Sequence, residues 1–565
     1  MAGDVLSNGL LSRCVARHES TDGLTRRDLV RQSAALGIAG AVAPFVLSQP
    51  VGAVPRRQGD ATTLTLVLDG SPHTVDPHNA YDYRSILAVL GAYEGLIMLK
   101  DDSTDEYEGL IAESWESNAD KSIWTFHLRD GVTFHDGSPV DAAAVVASYE
   151  RLLAMGLGPV NVIQRFVSDP AQVTAPDAKT VVFDLGRPQP SFEAAIASTY
   201  GNPIANVAVM KTHEEDGDWG HAWAEMTAEG TGSGPYRLVE FEPGERLVYE
   251  KYEGYWRGWE ADHFDRIVIR IVTEKETRRQ LIEQGEADIV DSLTPEDFDS
   301  LAQHPDLVVT RSYATAVDYY TMTVAGPLAS PTARQALCFA FPYKETVEGV
   351  YRGYAKQARG GVAELIRGFS PDTFTYSTDL ERAKELLAEA GVPEGTSLTM
   401  TIESGIERFK SAGQLLQANL ASIGIDLKIE QVDLPTFLGI FQGDAPAEER
   451  PRLMGWTWWP DYNDAWSHLT PQISCGAWGS KGGNGGFYCN QQAEDLLSQG
   501  ENAADEATYL SAMAELQQII SRDDPPAIYF VQPQWTTALR KRVTGFLFNP
   551  VNVGTFNFWK LRRTD

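Results

Sequence analysis

Beyond Thr62 the apolar residues switch again and again between a period of two and a period near 3.6. This alternation limits the fold more than any other feature of the chain. Residues 63–68 (Thr-Leu-Thr-Leu-Val-Leu) alternate as a half-buried strand does and end in turn chemistry at 69–72. Residues 86–98 carry Leu87, Leu90, Ile97 and Met98 at helical spacing. Residues 124–128 return to a strand, and 140–153 to a helix that Asp141 is placed to cap. Residues 238–252, 266–272 and 287–290 read as strands, with a helix over 277–284. The second half keeps the same style. Helices are expected at 332–341, at 380–390 with Gly391 as a left-handed cap, and at 412–423; strands are expected at 398–402 and 426–432. Strands interleaved with helices define an α/β chain with mixed sheets. No 20–50-residue repeat and no low-complexity linker separates domains, which suits domains that pass the chain back and forth.

Size and charge narrow the function. The 565 residues suffice for three to four domains. Acidic residues outnumber basic ones 78 to 47, a net charge of −31 that repels phosphate backbones and anionic lipid, so nucleic-acid and membrane-surface partners are not expected. Four cysteines exclude a disulfide scaffold and a multi-cysteine metal cluster but leave a single bridge open.

The first 53 residues differ from the rest. Arg26 and Arg27 precede an Ala/Gly-rich apolar run over 34–47, too short to span about 30 Å of hydrocarbon. Twin arginines before such a run resemble a twin-arginine (Tat) export signal, with cleavage near Ala53; the alternative is a buried Ala-rich helix, against which Pro44 argues. No cysteine follows the run, so a lipid anchor is not expected. The remainder carries −32 and has no stretch of 18 apolar residues. A soluble, periplasmic protein is the expectation.

Motifs of common enzyme chemistry do not occur: no GxxxxGK[ST], no HExxH, no GxSxG. The glycine run 230–234 is followed by Pro235, which removes a donor where a phosphate loop needs one, so a structural turn is expected. His135 and Asp136 are adjacent and face opposite sides of an extended chain. His73 and His78 flank Asp76 in a Pro-rich stretch that reads as a rigid corner rather than a metal site. A secreted hydrolase is therefore the weaker hypothesis, and no cofactor or metal is expected.

Several ordered segments carry more specific information. Val-Asp-Pro-His at 75–78, Tyr-Glu-Gly-Leu at 93–96, Ile-Ala-Glu-Ser-Trp at 111–115 and the run from Trp124 to Val140 (WTFHLRDGVTFHDGSPV) occur in sequence. Thr-Gly-Ser-Gly-Pro-Tyr at 231–236, Glu-Ala-Asp-Ile at 286–289 and the helices at 334–340 and 381–391 follow. Together they resemble the peptide-binding solute-binding proteins of ABC importers, family 5, over nearly the whole chain after residue 62. The resemblance implies a two-lobe periplasmic-binding-protein fold (type II, three-domain) with mixed β-sheets and a hinge. Lobe one would comprise 60–295 and 526–565, with an inserted subdomain at about 85–200, and lobe two 296–525. It also implies a monomer that closes over a peptide and delivers it to ABC permease subunits.

The same resemblance marks candidate ligand residues. Residues 455–464 (GWTWWPDYND) are similar to the family's G-W-x-x-D-Y-N element, whose first acidic residue pairs with the ligand's α-ammonium group; that position is Asp461. Asp-Tyr-Asn-Asp is also turn chemistry, so a cap remains the alternative. Trp458, Trp459 and Tyr462 are candidate wall residues. Trp458 and Trp459 face opposite sides if extended, while Trp456 reads as core. The tryptophans also admit a non-peptide ligand such as an oligosaccharide, opine or nickel chelate. Arg408 lies where dipeptide-type relatives carry an arginine for the ligand carboxylate, a solvated helix-start residue being the alternative; Tyr81 and Asp82 could line the cleft from lobe one. Cys475 and Cys489 flank a Gly-rich loop where the family often has a bridge, Cys338 reads as a buried thiol, and Cys14 belongs to the export segment.

Overall fold

A computed structural model describes residues 62–479, 482–503 and 505–564. Arg26, Arg27, Cys14 and all of segment 1–53 lie outside them. The strand Thr63–Leu68 runs parallel to Arg266–Ile271 on one side and to Ile289–Val290 on the other. The sheet continues antiparallel through Arg246–Lys251 and Tyr236–Glu242. The run expected over 238–252 is thus a hairpin, because Pro243 and Gly244 supply the turn.

On its other side Ile289–Val290 pairs with the long strand Ala527–Arg540, which changes partners along its length. Residues 534–540 pair with Leu307–Tyr313, whereas residues 527–533 pair with Val317–Met322 and Ala355–Gln357. Leu453–Trp458, Ser397–Glu403 and Asp426–Val432 follow beyond Val317–Met322, in that order. Parallel and antiparallel pairs share this sheet, as the α/β pattern implies. A separate antiparallel sheet orders Ala112–Ser117, Ile123–Leu128, Thr180–Asp184 and Val173–Asp177, beside the helix Ala142–Met155 that Asp141 caps.

Three large apolar cores follow this arrangement. The first joins residues from Leu64 to Ile289 with Tyr462, Leu539, Val543, Phe558 and Leu561. The second and third are built from residues between Val317 and Val531.

One expected helix is shorter than its pattern. The helix over 86–98 is Tyr83–Ala92, and Ile97–Leu99 is a strand paired with Tyr107–Gly109. The reason lies more than 100 residues away in sequence. The backbone N–H of Gly234 donates to the carbonyl of Ala92 (2.8 Å), and a Cβ on Gly232 would fall 2.0 Å from that oxygen. The glycine run is the turn that closes on this helix end. His135 serves the same corner: it is buried, its Nε2 donates to the carbonyl of Gly234, and burial lowers its pKa to about 4. The corner at Val75–His78 is equally structural. Asp76 is fully buried and receives both Nη1 (2.8 Å) and Nη2 (2.6 Å) of Arg151, with His221 Nδ1 at 3.0 Å. In contrast, the helix expected over 412–423 starts earlier, at Glu407, which sets Arg408 in its first turn.

Candidate functional site

The strand Leu453–Trp458 leaves the sheet into a loop that ends at Asp464, the N-cap of the helix Ala465–Ile473. Two aspartates three residues apart in this loop have opposite environments. Asp464 is fully buried and satisfied. It accepts from the backbone N–H groups of Trp466 and Ser467, from Arg367 Nη1 (2.6 Å), from the Tyr509 hydroxyl (2.8 Å) and from Ser191 Oγ (2.6 Å). Among the described residues, the Asp461 carboxylate receives only the Tyr81 hydroxyl, 2.9 Å from each oxygen. Burial pushes its carboxyl up to about 6, partly offset by that hydrogen bond, and no cation of the described residues pairs with it. The turn-cap alternative therefore describes Asp464.

Aromatic side chains surround Asp461. Tyr81 meets Tyr200 edge-on at 5.2 Å between centroids, and the Trp459 indole N–H donates to the Tyr200 hydroxyl (3.3 Å). Ser198 Oγ donates to the Asp461 carbonyl (2.5 Å). Trp458 and Trp459 do diverge: Trp458 packs on the third core, whereas Trp459 lies beside Ala314, Phe548 and Val553. Trp456 stacks with both Phe437 and Phe441, at 5.5 and 5.1 Å between centroids, and packs against the core there.

A second polar cluster lies on the neighbouring strand. Asp318 is fully buried; its carboxylate accepts from Arg408 Nε (3.0 Å), the Tyr351 hydroxyl (2.5 Å) and Thr457 Oγ1 (2.5 Å). Arg408 Nη2 also donates to Thr457 (3.0 Å), four residues before Asp461, while the arginine side chain remains 42% exposed. Its head is therefore oriented by a buried carboxylate and still reachable from solvent. Burial raises the pKa of Glu403, and the charges of Arg408 and Arg84 act on it in the opposite direction. Arg84 is itself held by Asp69 (2.7 Å). Nearby, burial and the charge of Asp69 push Asp291 up to about 7.

Other candidates take structural places. Asp82 caps the helix Tyr83–Ala92 through Arg84 and Ser85 N–H and binds His73 Nδ1 (2.7 Å), while its side chain remains 36% exposed. Tyr462 is not a wall residue either: it is 3% exposed, packed in the first core, and its hydroxyl accepts from Arg165. Cys475 and Cys489 are joined in a disulfide, and Cys338 is a buried thiol. Arg165, Ser191, Ser198, Tyr200, Asp318 and Arg367 were not legible as site residues, since the partners described above lie 33 to 297 positions away. A cavity of about 900 Å³, counting its open mouth, is lined by Leu90, Met98, Leu110, Leu547, Phe556 and by Ser198, whose hydroxyl binds the Asp461 carbonyl.

Comparison with known proteins identifies the family and the fold. Residues 106–480 match the model of the bacterial extracellular solute-binding proteins, family 5 Middle. The chain is 30% identical over 492 residues to the probable D,D-dipeptide-binding periplasmic protein DdpA of Escherichia coli (strain K12), covering 86% of this chain and 91% of the relative. Its fold is similar to that of the ABC transporter-associated periplasmic binding protein DppA from Helicobacter pylori, solved with the peptide STSA. There the TM-score is 0.76 and the identity 24%, over 89% of this chain and 98% of that one. It is also similar to the dipeptide binding protein from Pseudoalteromonas sp. SM9913 in complex with Met-Leu, with TM-score 0.77 and 22% identity over 89% and 100% of the two chains. The α/β fold with mixed sheets is thus that of the periplasmic binding proteins, and the chain belongs to the bacterial extracellular solute-binding proteins, family 5.

Proposed function

We propose that this protein is the periplasmic solute-binding component of an ABC importer, capturing di- or oligopeptides and delivering them to membrane permease subunits. The observation that carries this reading is the Asp461 carboxylate, half-buried among aromatic rings with one tyrosine hydroxyl and, among the described residues, no cation. A carboxylate that lobe closure dries without a partner costs several kcal/mol, and a ligand α-ammonium group is the partner that would offset it. Arg408, fixed by Asp318 and still exposed, would take the ligand carboxylate. DdpA, named as D,D-dipeptide-binding, and the peptide complexes among the similar structures support the same class of ligand.

In this reading lobe one comprises 60–295 and 526–565, with the inserted subdomain near 85–200, and lobe two comprises 296–525. The partner exchange along Ala527–Arg540 and the composition of the cores support that division. A ligand that touches both lobes only when they close favours the closed form by that difference in affinity. Segment 1–53 is a twin-arginine signal removed near Ala53; the mature protein is soluble, without a lipid anchor, monomeric and not an enzyme. The test is a thermal-shift panel of free dipeptides, N-acetylated dipeptides, oligosaccharides, opines and nickel–histidine. A specific ligand at 100 times its Kd adds about 2.7 kcal/mol of stability. Free dipeptides should shift the transition and N-acetylated ones should not. A shift with sugar alone refutes the peptide reading, and turnover of a bound compound refutes the non-enzymatic one.

A further inference from the structure

Tyr462 follows the ammonium-binding candidate directly, yet it faces away from the elements that carry it. The flanking strand and helix pack with the second and third cores through Leu453, Ala465 and Leu469. The Tyr462 ring instead belongs to the first core, 5.9 Å from Phe166 between centroids. Arg165 grips this loop from the first core. Its Nη1 donates to the Tyr462 hydroxyl (3.1 Å), and its guanidinium carbon lies 3.5 Å from the Trp466 ring centroid and 4.8 Å from that of Phe166. Its Nε is buried without a hydrogen-bond partner, and among the described residues it joins no ion pair.

Other links reach the same loop from the same side. Ser198 binds the Asp461 carbonyl, Asn463 Nδ2 donates to the carbonyl of Thr104 (2.7 Å), and Ser191 binds Asp464. The chemistry of the Arg165 grip differs from that of a permanent buried pair such as Asp76–Arg151. Tyrosine, tryptophan and arginine each join an apolar body to a polar tip that water can serve when the contact parts. That suits a surface that is made and broken repeatedly.

We propose that Arg165 is a positioning residue of the Asp461 site. By clasping Tyr462 and Trp466 it docks residues 459–466 onto the first core and holds the adjacent carboxylate over the ligand. The proposal rests on the reading of the protein as one that closes over a peptide. Arg165 touches no ligand in it; it acts through Tyr462, and it governs how long the closed form lasts.

The experiment compares wild type with Arg165→Ala, Tyr462→Phe and the double variant. Each single variant should weaken binding of a free dipeptide about tenfold, with the loss in koff and kon unchanged. The double variant should lose little more than Arg165→Ala alone, since the hydrogen bond that Tyr462→Phe removes is already gone once Arg165 is replaced. Full additivity, or a loss confined to kon, overturns the proposal. Arg165→Lys keeps the charge but not the planar stack, and should recover only part of the affinity; complete recovery overturns the clasp. Hydrogen exchange of residues 459–467 in the ligand-free protein provides a readout that needs no ligand. Exchange should quicken about tenfold in both single variants, and unchanged exchange overturns the proposal. If wild type binds no dipeptide while the variants exchange faster, the peptide reading fails and the clasp stands.

Discussion

Replacing Asp461 by asparagine should move stability and ligand affinity in opposite directions. Burial raises the Asp461 carboxyl from 3.8 to about 6, a shift of about 2 units, or at most about 3 kcal/mol at 1.36 kcal/mol per unit. The folded pKa lies above the unfolded one, so between pH 4 and 6 the folded state holds more protons than the unfolded state. Stability from this group is therefore greatest below pH 4, falls as pH rises to about 6, and is fully lost above that. Asparagine is nearly isosteric, keeps a carbonyl oxygen for the Tyr81 hydroxyl (2.9 Å in the carboxylate) and has no charge to desolvate. At pH 8 the ligand-free Asp461→Asn protein should resist urea better than wild type by up to about 3 kcal/mol. The difference should vanish near pH 4. Affinity for a free dipeptide should instead fall by about 3–5 kcal/mol, roughly 10²- to 10³·⁵-fold, because the ligand ammonium is then buried without a counter-charge. Wild-type affinity should itself fall about tenfold per pH unit below 6, as the carboxylate protonates. Urea titrations from pH 4 to 8 and calorimetry with one dipeptide measure all three effects. An asparagine variant less stable than wild type at pH 8, or one that binds the dipeptide unchanged, refutes the assignment.

Four other perturbations separate the roles described above. Arg408→Gln should weaken free dipeptides by about 10- to 100-fold while leaving C-terminally amidated ones unaffected, read by calorimetry as a loss of discrimination. Cys475→Ser should lower unfolding free energy by about 3 kcal/mol on loop-closure grounds, and reductant should lower wild type to the same level but leave the variant unchanged. Gly232→Ala should cost about 1–3 kcal/mol or more, since its Cβ would lie 2.0 Å from the Ala92 carbonyl, whereas alanine at the open position Gly349 should be close to neutral or stabilising in the same assay. Lysine at both Arg26 and Arg27 should leave the protein in the cytoplasm with its N-terminal segment uncleaved, as seen by fractionation and mass spectrometry.

The fold was legible wherever a periodic pattern is decided locally. Residues 63–68, 140–153, 397–403 and 426–432 alternate or repeat over their own length, and each forms the expected element. The helix expected to reach Met98 stops at Ala92 because a donor from Gly234 takes its last carbonyl, and no pattern within residues 86–98 encodes that donor. The same limit explains the hairpin over 236–251, where the apolar pattern runs on and only Pro243 and Gly244 mark the break.

The site was legible by residue type but not by side-chain commitment. Asp461 and Asp464 sit in one turn-forming stretch and are chemically identical; what separates them is Arg367, Tyr509 and Ser191 converging on one and Tyr81 alone on the other. A carboxylate that tertiary structure neutralises is part of the scaffold, and one that it leaves without a cation is available to a ligand. The same reasoning moves Tyr462 into the first core, with its hydroxyl facing Arg165, and gives Asp82 a capping role at its own helix. It also explains why the aromatic wealth of residues 456–478 says little by itself. Trp456 is stacked in a core, Trp466 lies under a guanidinium and Trp478 is stacked on Phe487, which leaves Trp459 as the tryptophan of this stretch placed beside Tyr200 and Tyr81. A site of one unpaired carboxylate, an arginine held by Asp318 and few free rings favours a ligand read by its charged ends over one read by stacking alone.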